Sequence, residues 1–250
     1  MPNGLEGRKA VITGASSGIG AATAAALAAE GAAVALGARR KERLDELAQR
    51  IEGDGGSAHA FEVDVSDEDA ARAFIESAAE QMGGLDILVN NAGVMLLGPI
   101  GGADTEEWRR MVDVNLLGLL YCTHAALPLM QQGGGGHIVN LSSVAGRTAN
   151  LGSGVYNLTK WGVNGFSEAL RQEVLHSGIR VTIVEPGFVA TELQGHNKNP
   201  VVVEQLEKMR EQVGEELEAE DIAAGIVYAV SSPQRVNVNE ILIRPTGQQR

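Results

Sequence analysis

Tyr156 and Lys160 stand four residues apart in a helical stretch, which puts both side chains on one helix face. A tyrosine is a poor base near neutral pH, because its unperturbed pKa is about 10. A nearby ammonium favours the phenolate. Lowering the pKa by about three units takes roughly 4 kcal/mol, and one charge at about 4 Å in an effective dielectric of about 20 supplies that much. The pair could therefore move a proton near neutrality. The same spacing also describes two interface residues that do no chemistry. Ser143 follows the apolar run His137–Leu141, thirteen residues before Tyr156. A hydroxyl at a strand's C-terminal end can hold a substrate oxygen beside the tyrosine, or make a local turn bond. Asn115 lies among apolar residues, and a buried amide must find partners. It can bond backbone, or hold a water that feeds protons to Lys160.

A second cluster precedes these. Thr13-Gly14-Ala15-Ser16-Ser17-Gly18-Ile19-Gly20 joins an apolar run to an alanine-rich helical pattern. Glycines at that junction let the backbone turn sharply and approach a pyrophosphate, which the free N–H groups of the helix N-terminus attract. The spacing is G-x-x-x-G-x-G, not the commoner G-x-G-x-x-G.

The elements that must position these residues alternate along the chain. Strands are expected at Lys9–Thr13, Ala33–Ala38, Ala58–Val63, Leu85–Asn90, His137–Leu141, Arg180–Glu185 and Glu240–Ile243. Helices are expected at Ile19–Glu30, Lys41–Ile51, Asp67–Met82 (capped by Ser66), Thr105–Met130 with a bend or break before Pro128, Val155–Ser177 and Asp221–Ser231. The strands are continuous Val/Ile/Leu/Ala runs, the pattern of strands covered on both faces. Repeated strand–helix units predict an α/β fold, a doubly wound parallel sheet of about seven strands with helices on both faces. No internal repeat or linker divides residues 1–250, so one domain is expected. The segment Glu192–Gly214 fits the alternation poorly and follows a strand end, where such sheets bind ligands. It is expected to be a mobile lid over the site.

Composition bounds the function. The net charge of −12 excludes a general affinity for nucleic acid, since no basic excess meets the phosphates. Cys122 is the only cysteine, which rules out an internal disulfide and fits the reducing cytoplasm. Met1–Lys9 lacks the apolar core of a signal peptide. Val114–Gly146 carries no formal charge, but its Asn115, His124, Pro128 and four glycines from Gly133 argue for a buried helix, a loop and a strand instead of a membrane span.

Taken together, these motifs resemble those of the short-chain dehydrogenase/reductase family, whose fold is of the Rossmann type. Thr13–Gly20 is similar to its glycine motif, and Asn90-Asn91-Ala92-Gly93 to its Asn-Asn-Ala-Gly motif. Asn115, Ser143, Tyr156 and Lys160 match its catalytic tetrad in order and spacing. Pro186-Gly187 with Thr191 resembles the segment that holds a nicotinamide carboxamide, and Asp64-Val65 the pair at the adenine. The resemblance implies that Tyr156 is the general acid in reduction and base in oxidation. Ser143 polarises the carbonyl, Lys160 bonds the nicotinamide ribose and lowers the pKa of Tyr156, and Asn115 supports a proton relay. Hydride passes directly to or from the nicotinamide, so no metal is expected. Gly14, Ser16, Ser17, Gly18, Ile19 and Gly20, with Asn91, Ala92 and Gly93, are the implied cofactor contacts.

The end of the second strand reads Gly37-Ala38-Arg39-Arg40. NAD sites of this design carry an acidic residue there, whereas a guanidinium offers a 2′-phosphate forked donors. NADP(H) is therefore the expected cofactor, with Arg39 the favoured contact and Arg40 a second one or a solvated helix start. Asn91–Pro99, Thr191–His196 and Asn239–Thr246 further resemble the clavulanic-acid dehydrogenase branch of NADP-dependent reductases and its relatives acting on small 3-hydroxy acids. An aldehyde or ketone reductase of a small molecule, assembled as a homodimer or homotetramer, is the expectation. A cofactor-binding regulator without turnover is the rival from another class.

Overall fold

Stretches such as Ala10-Val11-Ile12 and Leu88-Val89 are fully buried on both faces, because helices cover both sides of the sheet they form. The computed structural model describes residues 4–197 and 199–249. Lys198, inside the expected lid, lies outside the described residues, as do residues 1–3 and 250.

The elements run β1 (Lys9–Thr13), α1 (Gly18–Ala29), β2 (Ala33–Ala38), α2 (Lys41–Gly53), β3 (Ser57–Glu62), α3 (Glu68–Met82) and β4 (Ile87–Asn90). Then come α4 (Thr105–Val112), α5 (Gly118–Gln132), β5 (Gly136–Leu141), α6 (Gly154–Glu173), β6 (Ile179–Pro186), α7 (Pro200–Val213), α8 (Ala219–Ser231) and β7 (Glu240–Ile243). All seven strands pair in parallel in the order β3-β2-β1-β4-β5-β6-β7. The order reverses between β1 and β4, so their C-terminal ends splay into a crevice, where ligands of such sheets bind. One core cluster gathers Leu27, Leu36, Leu44 and Ile226 on one face, and another gathers Phe74, Ile75, Met130 and Ile138 on the other.

Local details depart from these expectations at several helix ends. The cap of α3 is Asp67, whose carboxylate accepts from the Ala70 amide, while Ser66 turns back to bond Asp64. Pro128 sits inside α5 without ending it; the irregularity is a π-helical turn at Asp113–Leu117, joining α4 to α5. Helix α6 stops at Glu173, short of Ser177, and the last helix starts two residues early, from a reciprocal cap between Glu218 and Asp221. The expected lid is itself structured, as a 3-10 turn (Glu192–His196) and α7, which starts from an Asn199 cap with Pro200 in its first turn. The stretch Thr105–Gln132 is long and apolar enough to cross a membrane by composition, and in the fold Cys122, Ala126 and Met130 of α5 pack into the core beneath the sheet.

Candidate active site

The crevice opens as a cavity of about 760 Å³ that runs from the β1–α1 turn to α7. At one end the glycines are required by close approach. A Cβ on Gly20 would lie 2.4 Å from both the Asn91 amide nitrogen and the Gly14 carbonyl oxygen, and one on Gly14 (φ +67) would lie 2.8 Å from Ala92 Cα. Ser17 caps α1 without a side-chain bond, and no acidic residue occupies its first turn. Those N–H groups thus keep the positive helix terminus available to an anion. This cradle fits a pyrophosphate.

The Asn-Asn-Ala-Gly motif locks this turn to β4. Asn91 donates to the carbonyls of Thr13 and Gly14 at 3.0 and 3.2 Å, and the Thr13 hydroxyl accepts from the amides of Asn91 and Ala92. Asn90 is buried and donates to Asn140 on β5 and to Thr123 on α5. Asn140 is missed by motif reading, and the bonds of Thr13, the first residue of the glycine motif, are not legible from it, because both work through backbone and core partners.

At the end of β2, Arg40 turns back to the glycine turn. Its Nε lies 3.1 Å from Ser16 Oγ and its Nη2 2.7 Å from Ser17 Oγ, and Nη1 pairs with Glu192 at 2.7 Å. It is therefore not merely a solvated helix start. Glu192 also pairs with Arg43 at 2.6 Å, and the two guanidinium groups hold its carboxyl down at about 2. Arg39, the favoured contact, is half exposed and faces Asp64 at 3.8 Å. Burial raises the Asp64 pKa, but bonds from Ser66 and the Arg39 charge leave it below the usual carboxylate value. Val65 lines the cavity beside it.

The residues of the expected tetrad come from three elements. Tyr156 and Lys160 lie on α6, both buried, with the Lys160 nitrogen 5.8 Å from the phenol ring centre. That ammonium donates to the Leu141 carbonyl at 2.8 Å, at the end of β5. Ser143 caps a 3-10 turn (Val144–Gly146) after β5, and its hydroxyl lies near enough to the Tyr156 phenol to lower its pKa. Burial pushes Tyr156 up to about 12, opposed only by the Ser143 hydroxyl, and pulls Lys160 down to about 8. In the chain alone desolvation outweighs any lowering of the phenol pKa, and the Lys160 charge is not among the causes of its shift.

Asn115 occupies the π turn and is buried. Its Oδ1 accepts from the Val94 amide at 2.8 Å, and its Nδ2 donates to the Val94 carbonyl at 2.9 Å and to Thr159 at 3.2 Å. Of the two readings left open for this amide, it makes the backbone bonds. Behind Ser143, Arg147 binds the wholly buried Glu185 at 2.6 Å, and Asn164 binds the other carboxylate oxygen at 2.9 Å. The serine loop is thereby tied to the residue before Pro186-Gly187. Those two residues and Thr191 line the same cavity, and the Thr191 hydroxyl caps the 3-10 turn. Gln248, from the C-terminal segment, also reaches it and accepts from the Phe188 amide. Arg147, Glu185 and Gln248 carry no motif, so spacing alone could not find them. All the expected tetrad and cofactor-end positions thus border or brace one crevice.

Known proteins share this plan. Residues 8–202 match the short chain dehydrogenase family. The chain is 40% identical to an oxidoreductase of Staphylococcus saprophyticus over 98% of its length and 99% of the relative's. It is 43% identical to glycine betaine reductase of Emericella nidulans over 99% of this chain, which spans only 19% of that longer protein. A serine dehydrogenase structure, in a closed form complexed with NADP+, superposes with a TM-score of 0.88 at 32% identity, covering 97% of this chain and 96% of that one. The sequence match over most of the chain and the shared architecture together place this protein in the short chain dehydrogenase family of oxidoreductases.

Proposed function

We propose that the protein is an NADP(H)-dependent reductase that converts the carbonyl of a small aldehyde or ketone to an alcohol, with Tyr156 as proton donor. The observation that carries this reading is one cavity whose wall holds Tyr156, Ser143 and Lys160 and whose far end is a phosphate cradle. The NADP+ complex of serine dehydrogenase and the Arg39–Arg40 pair support the cofactor choice.

When bound, the reduced nicotinamide supplies hydride. The glycine turn and the α1 N-terminus hold its pyrophosphate, Arg40 and Arg39 its 2′-phosphate, and Asp64 with Val65 flank the adenine. Asn91, Ala92 and Gly93 build the cavity floor, while Pro186, Gly187 and Thr191 hold the carboxamide. Ser143 donates to the substrate oxygen and orients it. Tyr156 gives that oxygen its proton as negative charge develops there. Lys160, bonded to Leu141, places its charge under the phenol, so the phenolate left after transfer is stabilised before reprotonation. Asn115 keeps Val94 and the α6 backbone in register with these groups. Residues 192–214 act as a lid, their α7 side chains forming one wall of the cavity. Cys122 is buried, which pushes its thiol up to about 12 and leaves it unreactive.

The test is kcat/KM for NADPH against NADH with a panel of aldehydes and ketones, read by nicotinamide absorbance. A ratio of about tenfold or more supports the reading; a ratio at or below one withdraws the NADP assignment.

A further inference from the structure

The formal charges in the cavity wall are few and already spoken for. Among the described residues they are Arg39, Arg40, Asp64, Lys160 and Glu192. Arg39 faces Asp64, Arg40 binds Glu192, and Lys160 is bonded to Leu141 beneath the phenol. All five sit at the cofactor end or under Tyr156. Beyond Tyr156 the wall is built from the Val94–Pro99 loop, Val144, the residues around Leu151, Phe188 and α7. Its side chains there include Met95, Leu97, Val144, Leu151, Leu206 and Met209. The polar groups among them, such as Asn150, Ser153 and Gln205, are neutral. Burial lowers the His196 pKa first, and the charges of Arg110, Arg39 and Arg40 lower it further against the opposing charge of Glu192. The apolar wall continues to the rim, where Leu151 is 99% exposed and Val201 62% exposed. Single exposed apolar residues are common, but here they continue an apolar cavity.

We infer that the substrate is an uncharged, apolar carbonyl compound, an aldehyde or ketone whose hydrocarbon part fills the chamber between α7 and the Val94–Pro99 loop; this rests on the reductase reading above. An unpaired carboxylate or ammonium in that chamber would lose its hydration and find no counter-charge. The inference separates this chain from two proteins it resembles. Glycine betaine and serine each carry both a cationic group and a carboxylate, and the chamber offers neither a partner. It also excludes the small 3-hydroxy acids implied by the branch resemblance.

The reaction balances as carbonyl plus NADPH plus a proton giving alcohol plus NADP+. Hydride reaches the carbonyl carbon, and the oxygen takes its proton from Tyr156.

The test has a kinetic arm and a binding arm, both on the full chain. Butanal, hexanal and octanal should show kcat/KM rising about two- to fourfold per added CH2, in line with about 0.8 kcal/mol each. Octanal should exceed 8-oxooctanoate and a trimethylammonio aldehyde of similar length by about thirtyfold or more. Calorimetric titration of the cofactor-free protein should show 1-octanol binding more tightly than octanoate. Leu206→Arg should narrow or reverse the preference for octanal over 8-oxooctanoate. A carboxylate or cation used as well as octanal overturns the inference, whether or not Lys198 is its partner; Lys198→Gln identifies that case. Octanol binding without turnover of any aldehyde would leave the chamber assignment standing and remove the reductase reading. Failure of octanol to bind, or its binding no more tightly than octanoate, overturns the chamber assignment itself.

Discussion

At the scale of single residues, the burial of Tyr156 and Lys160 decides more than their spacing does. Tyr156→Phe keeps the ring and deletes the transferable proton. Turnover should fall by about a hundredfold or more while cofactor affinity stays within about twofold; near-normal turnover would remove Tyr156 from the mechanism. Lys160 has a folded pKa of about 8 against an ordinary 10.5. Between those values the unfolded chain binds more protons than the folded one, so the group's contribution rises with pH across that window and is lost as pH falls through 8. Urea unfolding of the wild type and of Lys160→Met should diverge by up to about 3 kcal/mol in the wild type's favour from pH 8 to pH 10.5. A constant difference across that range would show that the ammonium is not desolvated. The tetrad was readable only through the family resemblance, since the spacing of Tyr156 and Lys160 alone also fits two interface residues. The direction of the tyrosine shift was not, because it depends on how completely α6 is covered, and spacing carries no record of that.

At the scale of elements, strand runs were legible because parallel strands buried on both faces leave continuous apolar stretches. Helix ends and irregular turns were less so. The Asn199-Pro200 pair that starts α7 is an ordinary start signal, but the helix behind it buries only Val202 among its residues, so its apolar periodicity is weak. The π turn at Asp113–Leu117 has no local signature; it follows from the pull of Val94 on Asn115. Helix α8 ends on a device no pattern shows. Arg180 of β6 donates to the carbonyls of Ala229, Val230, Ser232 and Val236, four acceptors around one guanidinium. A lysine has a compact ammonium with three donors and cannot span them. Arg180→Lys should lower stability by about 2–3 kcal/mol and Tm by roughly 5–10 °C. A Tm change under about 1 °C would mean that the carbonyls find water instead.

At the scale of the whole molecule, the helix that carries Tyr156 and Lys160 presents an apolar outer surface. Leu158 is 61% exposed and Trp161 54% exposed on α6, one turn or less from Tyr156 and Lys160. The stretch Thr105–Gln132, which ends in α5, is also apolar enough to resemble a membrane span by composition. A second copy is the expected cover, since closed symmetric assemblies are the usual outcome for such faces. Light scattering at micromolar concentration should give a dimer or tetramer, and Trp161→Glu should shift it toward the monomer; a wild-type monomer would overturn the assignment. The sheet order has a different consequence. β1, β2 and β3 form one side of the crevice, β4, β5 and β6 the other, and the chain crosses between them after β3. The phosphate cradle belongs to the first half in synthesis, and Ser143, Tyr156 and Lys160 to the second. A nascent chain therefore carries the glycine turn before it owns Ser143, Tyr156 or Lys160, and the two halves of the crevice meet only when β4 pairs with β1 and Asn91 locks the turn.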